Sequence, residues 1–321
     1  MPQKPKILLA GAGALGVFFT SRIAHSADIW ISARSDYEAL KETGHYRIRS
    51  AALGDYDFEP AGILPFGRTP DFTPDYLFVC LKNLDGMNQP ELCRFAVKPG
   101  TAIVVIGNGL DNEEPFHRAF PDHEIIGGTA YLGASRPAPG IVLHTDGGKL
   151  FFGEYPPRSA TKRLTMLLDL FNAAGIPAFE AENITEKRWI KLLWNVSFNP
   201  VSVLGNDADT KMLLDDPECA RLIENMMREL ARIAQADGVT IPDGIIGETI
   251  RYSRDFAAYR PSMLQDFAAG REIELDAILG APLRKADRYG IDAPCMRTVY
   301  ALLRVAARKG HPVPSDGKEK S

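Results

Sequence analysis

The chain opens with Lys6-Ile7-Leu8-Leu9-Ala10 running straight into Gly11-Ala12-Gly13-Ala14-Leu15-Gly16, and then into the apolar Val17-Phe18-Phe19. No other stretch restricts the fold as strongly. A β-like run, a turn with glycines at G-x-G-x-x-G spacing and a helix-like continuation are the start of a βαβ unit. Each glycine has its own physical reason. The first permits the tight turn, the second lets backbone N–H groups approach a pyrophosphate, and the third lets the helix pack closely on the strand. The helix N-terminus then offers its partial positive charge to the phosphates. Gly11, Ala12, Gly13, Ala14, Leu15 and Gly16 are therefore candidate dinucleotide-binding residues. The alternative is a glycine-rich turn that holds no ligand.

The second β-like run discriminates between nucleotides. Asp28–Ser32 leads through Ala33 to Arg34, about twenty residues past the turn. A carboxylate at that place accepts hydrogen bonds from ribose hydroxyls and repels a 2′-phosphate, whereas a guanidinium pairs with the phosphate as a bidentate fork. Arg34 favours NADPH/NADP+ over NAD. Asp36, two residues on, complicates this reading, and an ordinary surface arginine is the alternative.

Further β-like runs at Tyr76–Leu81, Ala102–Ile106 and Glu124–Ala130, with helix-like segments such as Leu15–Ala24 and Ala160–Ala174 between several of them, predict a mostly parallel sheet. Gly140–His144 and Lys149–Gly153 read as two short strands around a turn at Thr145–Gly148, with the run Pro177–Phe179 closing this half. From Asn183 onward helical periodicity takes over, in Thr185–Asn199, Pro217–Asp237, Asp243–Phe256, Glu272–Tyr289 and Pro294–Arg308. The expected organisation is an α/β domain over residues 1–182 and an all-α domain over residues 183–321, with the tail 311–321 disordered.

A chain of 321 residues with 45% hydrophobic and 24% charged residues is long enough for two globular domains. Its formal net charge of -4 provides no broad basic field for nucleic acid or an anionic membrane, which points to a small-molecule ligand. Cys80, Cys93, Cys219 and Cys295 are scattered, with no CxxC and no histidine at metal-ligand spacing. They predict free thiols in a reducing cytoplasm and no metal site. The short polar N-terminus lacks the apolar run of a signal peptide or membrane anchor, so a cytoplasmic location is expected.

One helix-like segment stands out. In Glu186–Pro200, Lys191, Asn195 and Asn199 fall at i, i+4 and i+8, one polar stripe among largely apolar positions. Pro200 predicts a kink or stop just after Asn199. Hydride transfer to a ketone creates an alkoxide that must be protonated, and a partly desolvated lysine is suited to supply the proton. The two asparagines would orient the substrate or the lysine. Alone, the stripe reads equally as a solvated or interdomain face. His144, beside the expected turn, is a weak candidate acid, and Trp189 and Trp194 read as packing residues.

Taken together, these motifs resemble the ketopantoate reductase family. The likeness extends over nearly the whole chain: the Gly11–Gly16 turn with Arg34, Leu81-Lys82, Gly107-Asn108-Gly109-Leu110 followed by Asn112-Glu113-Glu114, Lys191-Leu192-Leu193-Trp194-Asn195 with Asn199-Pro200, and Ser262-Met263-Leu264-Gln265-Asp266 followed by Glu274. The resemblance implies a Rossmann-type N-terminal domain with a mostly parallel sheet plus an all-α C-terminal domain, and an active site in the cleft between them. It implies NADPH-dependent reduction of 2-dehydropantoate to pantoate, as in pantothenate and CoA biosynthesis. Lys191 would be the general acid, and Glu274 would bind the substrate's remote hydroxyl and help place the lysine. Asn195, Asn199 and Ser262 would hold the substrate's polar groups, and Lys82 and Asn108 would line the cofactor end. Asp266 would be structural. Each also has a plainer reading: Glu274 as a carboxylate favoured near a helix start, Ser262 as an N-cap, Lys82 as a loop lysine and Asn108 as a turn former.

The chain departs from the family pattern around Ser262, where Tyr259 stands in place of a frequent substrate-contacting asparagine and Pro261 in place of a serine. A phenol in place of a small amide would reshape the pocket that reads the substrate tail. Two alternatives therefore stand beside ketopantoate reduction: a reductase of another 2-oxo acid or ketone, and a non-catalytic NADP(H)-binding sensor. Helical second domains of this architecture often mediate dimers, so a homodimer is compatible with the sequence, which selects no face for it.

Overall fold

A computed structural model of the chain describes residues 4–255 and 258–310; the expected disordered tail, 311–321, lies outside the described residues. Strands β1 (Lys6–Ala10), β2 (Asp28–Ala33), β5 (Gly62–Pro65), β6 (Tyr76–Val79), β7 (Ala102–Ile106) and β8 (Ile125–Ala138) form a parallel array in the order β5-β2-β1-β6-β7-β8. This is the order of a doubly wound dinucleotide-binding sheet. The reason lies in the strands themselves. Ile7 and Leu9 of β1 enter one apolar cluster with Tyr76, Phe78, Val104 and Ile106, while Leu8 and Ala10 enter another with Leu77, Val79, Ile103 and Val105. Side chains alternate between faces, so a strand apolar at every position needs helices on both sides. Helices α1 (Ala14–Ile23) and α5 (Lys162–Ala173) cover the first face through Phe18, Phe19, Leu167 and Phe171. Helices α3 (Gln89–Cys93) and α4 (Glu114–Ala119) contribute to the second through Cys93 and Phe116.

The far side of the sheet corrects the sequence expectation. Residues 140–153 are not two short strands around a Thr145–Gly148 turn. Residues 141–153 belong to one long strand, β9 (Ile141–Tyr155), antiparallel to β8, and the chain reverses at Pro139-Gly140. Register shifts between Tyr131 and Leu132, Gly133 and Ala134, and Ser135 and Ala138 absorb the irregular glycines. Residues that resemble turn formers are here a bulged ladder, and His144 is buried within β9 rather than beside a turn. Beyond β9 lie β3 (Tyr46–Ser50) and β4 (Tyr56–Phe58), with β10 (Ala178–Glu180) also paired to β9. Helix α2 (Tyr37–Thr43) links β2 to β3.

The second part is helical: α6 (Ile184–Leu204), α7 (Thr210–Asp215), α8 (Pro217–Ala236), α9 (Ile245–Asp255), α10 (Ser262–Ala268), α11 (Ala281–Tyr289) and α12 (Pro294–Gly310). Two expectations need correction. Helix α6 does not stop at Asn199; it runs through Pro200 to Leu204. Proline removes one N–H, but Gly205 still donates to Val201 O at 2.8 Å, and buried Val196, Phe198, Val201 and Val203 reward continuation. The segment Glu272–Tyr289 is not one α-helix. Asp276–Gly280 forms a π-helical turn before α11, because Pro282 cannot donate to the preceding turn and Ala281 N–H reaches back to Asp276 O instead.

By the density of their internal contacts, the described residues form two compact units. One contains the residues up to Asn83 with Met87–Arg188; the other contains Leu84–Gly86 and the residues from Trp189 onward. The division falls inside α6, between Arg188 and Trp189, a few residues past the change of periodicity at 182–183. Arg188 is held in the first unit by a buried ion pair with Glu113.

Candidate active site

In the first unit the glycine turn has the geometry its spacing predicts. Gly11 sits at φ +94, and a Cβ there would lie 2.6 Å from the carbonyl of Cys80. Only glycine fits, in conformation and in space. A Cβ at Gly16 would meet Leu9 Cδ1 at 2.8 Å, so this glycine seats α1 on β1. Gly13 is different: a Cβ there meets nothing within 4 Å. Gly13 is the N-cap of α1, no side chain caps the helix, and its first turn carries no acidic residue. Uncapped N–H groups in a first turn that carries no carboxylate, next to the open space at Gly13, fit a pyrophosphate. At the end of β2, Arg34 is exposed.

Two loops at the carboxyl ends of the strands are tied together. Asn83 Nδ2 donates to Asn112 Oδ1 at 3.0 Å, and Asn112 Nδ2 donates to Asn108 O at 3.0 Å. Gln89 Nε2 donates to Lys82 O at 3.1 Å. Lys82 and Asn108, both half-buried, thus stand on loops fastened to each other by Asn112. Sequence reasoning noted Asn112 only as part of a motif and passed over Asn83. The signal for either is an amide in a loop after a buried strand, which is too common to identify a site.

In the second unit the stripe on α6 sinks progressively into the helix packing. Lys191 is half-buried, Asn195 is 6% exposed and Asn199 is 0% exposed, with no hydrogen-bond partner for either amide atom. A buried amide without partners costs about 1–3 kcal/mol. Leu192, Leu193 and Val196 fill the core around the stripe.

Tyr259 is fixed by its backbone. Its N–H donates to Thr210 Oγ1 at 3.1 Å, and its carbonyl accepts from Thr210 N–H at 3.0 Å. Its ring lies 6.0 Å from that of Trp194, the neighbour of Asn195, and Trp194 Nε1 donates to Ser253 Oγ at 3.1 Å. Ser262 is exposed and is the first residue of α10; Pro261 takes the N-cap place, so the plain capping reading of Ser262 does not hold. Asp266 accepts from Arg271 Nε at 2.9 Å. Glu274 is half-buried just ahead of the π-helical turn, its carbonyl accepting from Ile278 N–H at 3.2 Å.

Elsewhere in this unit an apolar cavity of about 510 Å³ is lined by Val201, Leu213, Leu222, Val299 and Leu302, among others. It contains none of the polar residues above and offers no proton donor of suitable strength. His144, the weak candidate acid, is buried in the first unit, with Nδ1 2.8 Å from Ser50 Oγ and its ring against Phe18. It is a core residue. Among the described residues no group of three or more His, Cys, Asp or Glu side chains is placed to hold a metal, and no helix is long and apolar enough to cross a membrane.

Comparison with known proteins agrees with this layout. Residues 7–157 match the family model described as ketopantoate reductase PanE/ApbA, and residues 183–307 match its C-terminal counterpart. A 2-dehydropantoate 2-reductase of Nostoc sp. is 30% identical over 305 residues, covering 93% of this chain and 94% of that protein. The crystal structure of 2-dehydropantoate 2-reductase from Methylococcus capsulatus is 37% identical, with a TM-score of 0.88 over 96% of this chain and 99% of that one. The corresponding Geobacter metallireducens structure is 31% identical, with a TM-score of 0.86 over 94% and 99%. A D-mandelate dehydrogenase solved with NADH shares the fold, with a TM-score of 0.83 at 20% identity over 95% of this chain and 99% of that one. With both halves matched in order and relatives aligned almost end to end, the chain belongs to the ketopantoate reductase family of oxidoreductases.

Proposed function

We propose that this protein reduces 2-dehydropantoate to pantoate with NADPH, the step that serves pantothenate and CoA biosynthesis, in the cytoplasm. The observation that carries this reading is the sinking stripe on α6: an amine at half-burial, followed by two amides withdrawn from water, the second with both polar atoms unsatisfied. Such an arrangement is costly in a purely structural helix and useful where a polar substrate completes it.

The first unit supplies the nucleotide-binding residues. Gly13 and the start of α1 receive the pyrophosphate, Arg34 pairs with the 2′-phosphate, and Lys82 and Asn108 hold the nicotinamide end. When bound, reduced nicotinamide supplies the hydride that goes to the keto carbon. The second unit supplies the acid and the substrate-holding groups. As negative charge grows on the keto oxygen, the Lys191 ammonium donates its proton to that oxygen, giving the alcohol and a neutral amine that regains a proton from solvent. Asn195, Asn199 and Ser262 orient the substrate, and Glu274 accepts from its remote hydroxyl and steadies the ammonium.

A second reading rests on Tyr259. Its ring is set against Trp194 and its backbone is pinned to Thr210, so it forms a rigid aromatic wall where a small amide is frequent in the family. That wall favours a 2-oxo acid with a different tail. The deciding experiment follows NADPH oxidation by absorbance against a panel of 2-oxo acids that includes ketopantoate. Highest kcat/KM for ketopantoate supports the first reading, a clear preference for another acid supports the second, and binding of NADPH without turnover of any acid would leave a sensor. A relative is described as a dimeric ketopantoate reductase, and a homodimer is our expectation for this chain too.

A further inference from the structure

We propose that Arg136 is a specificity-determining residue for the adenosine 2′-phosphate, acting by masking Asp36; the proposal rests on the NADPH reading above. The end of β2 is where dinucleotide-binding folds read the ribose, with a carboxylate for free hydroxyls and a cation for a 2′-phosphate. This chain has both signs there, Arg34 and, two residues on, Asp36. The fold separates them. Arg34 is exposed, whereas Asp36 is turned inward and its side chain is 1% exposed.

Asp36 is held by groups from a distant part of the chain. Arg136, one hundred residues later in sequence, forms an ion pair with Asp36 Oδ1 through Nη1. The same Nη1 donates to Ser35 Oγ at 3.1 Å, and Ser35 Oγ lies 3.2 Å from Asp36 Oδ1. Gly140 N–H donates to Asp36 Oδ2 at 3.4 Å. The bulged outer part of β8 brings Arg136 to this place, and Gly140 follows at the reversal into β9. A buried carboxylate paired with a guanidinium presents no net field to a ligand; without that partner its negative charge acts on a phosphate bound at Arg34. The extension of the β8–β9 ribbon thereby converts a β2 end of mixed sign into one that presents only a cation.

The test uses the full chain and two probes, NADPH and NADH, whose dissociation constants are read by nucleotide fluorescence at pH 8. Three variants are compared with the parent: Arg136→Gln, Asp36→Asn and the double substitution. Arg136→Gln should lower the preference for NADPH over NADH by about threefold or more, the size of a partly screened charge interaction. Asp36→Asn, which leaves Arg136 unpaired near the phosphate, should raise the preference. The double variant should return it to within about twofold of the parent, because the charge to be masked is gone. An ion pair that serves only folding would weaken both nucleotides equally. An unchanged preference in Arg136→Gln, a failure of the double variant to recover, or a fall in Asp36→Asn overturns the proposal. If Arg136→Gln does not fold, the opposite sign expected of Asp36→Asn and the neutral double variant still decide it. A parent protein that does not prefer NADPH defeats the cofactor reading itself, before any variant is made.

Discussion

Arg188 and Glu113 form a buried ion pair in which each side chain is 2% exposed. Arg188 Nε donates to Glu113 Oε1 at 2.7 Å and to Oε2 at 3.0 Å, and the guanidinium also donates to the carbonyls of Gly107 at 2.8 Å and of Val105 and Gly128 at 3.2 Å. One side chain thus fastens the N-terminal part of α6 to β7, β8 and the loop that carries Asn108. Arg188→Leu should destabilise the protein by about 3–5 kcal/mol, since it leaves a carboxylate buried without its cation. The paired change Glu113→Gln with Arg188→Met should cost clearly less. Urea denaturation of the two variants checks this, and a fully stable Arg188→Leu would show that the clasp carries no weight.

Much of the fold was legible in the sequence because its signals are local. Apolar runs such as Ile103–Val105 and the G-x-G-x-x-G turn announce buried strands and the crossover between them. What was not legible depends on distant partners. Nothing near Thr145–Gly148 says that this glycine-rich tetrapeptide continues a strand; that is decided by pairing with Tyr131–Gly133 of β8. Pro200 reads as a kink or a helix end, and only the buried positions beyond it explain why α6 continues to Leu204. The candidate site divides in the same way. Lys191, Asn195 and Asn199 share one helix face and their spacing is visible. Asn83, Asn112, Arg136 and Arg188 act across 29 to 101 residues and leave no periodic trace.

The glycines of the turn should separate by function. Gly11→Ala forces a side chain into φ +94 and against the Cys80 backbone, and should cost about 2 kcal/mol or more of stability. Gly13→Ala places its methyl in open space at φ -81, so the fold should be almost unaffected while NADPH affinity falls about tenfold. Thermal unfolding without nucleotide, set beside nucleotide titration, measures the two effects. Equal stability losses would mean that Gly13 serves the turn rather than a ligand.

Arg34 is expected to act on one cofactor only. Arg34→Ala should weaken NADPH by about tenfold and leave NADH within about twofold, as the loss of one charge-assisted contact to a phosphate at an exposed site. Comparable losses for both nucleotides would remove Arg34 from the 2′-phosphate site.

Asp85 predicts a pH effect on stability. Its carboxyl is held above the ordinary carboxylate range by desolvation first and by the charges of Asp276 and Glu272 next, with Arg284 opposing. A folded-state pKa above the unfolded value means that the folded protein binds the proton more tightly. The favourable contribution is therefore present below about pH 4 and is lost as pH rises through the folded value. Asp85→Asn keeps a polar acceptor without the charge. It should raise the melting temperature at pH 7 slightly, on the order of one degree, and make no difference at pH 3.5. The side chain is largely exposed, so solvent screening keeps the effect small. A destabilised Asp85→Asn at pH 7 would show that its hydrogen bonding outweighs the repulsion.

Lys191 permits the sharpest test of the chemistry, because its two expected contributions, proton donation and positive charge, can be separated by substitution. Lys191→Ala removes both and should lower kcat by about 10²–10⁴-fold, the usual range for loss of a general acid. The NADPH dissociation constant should stay within about twofold, since the residues proposed to bind the nucleotide belong to the first unit. Lys191→Arg keeps the charge on a group that gives up its proton far less readily. If the amine serves as acid, kcat in this variant remains low while KM for the 2-oxo acid recovers toward that of the parent. If the amine serves only to attract the substrate carboxylate, kcat recovers as well. Steady-state kinetics of the two variants distinguish these outcomes, and a parent-like kcat in Lys191→Ala would remove the lysine from the reaction altogether.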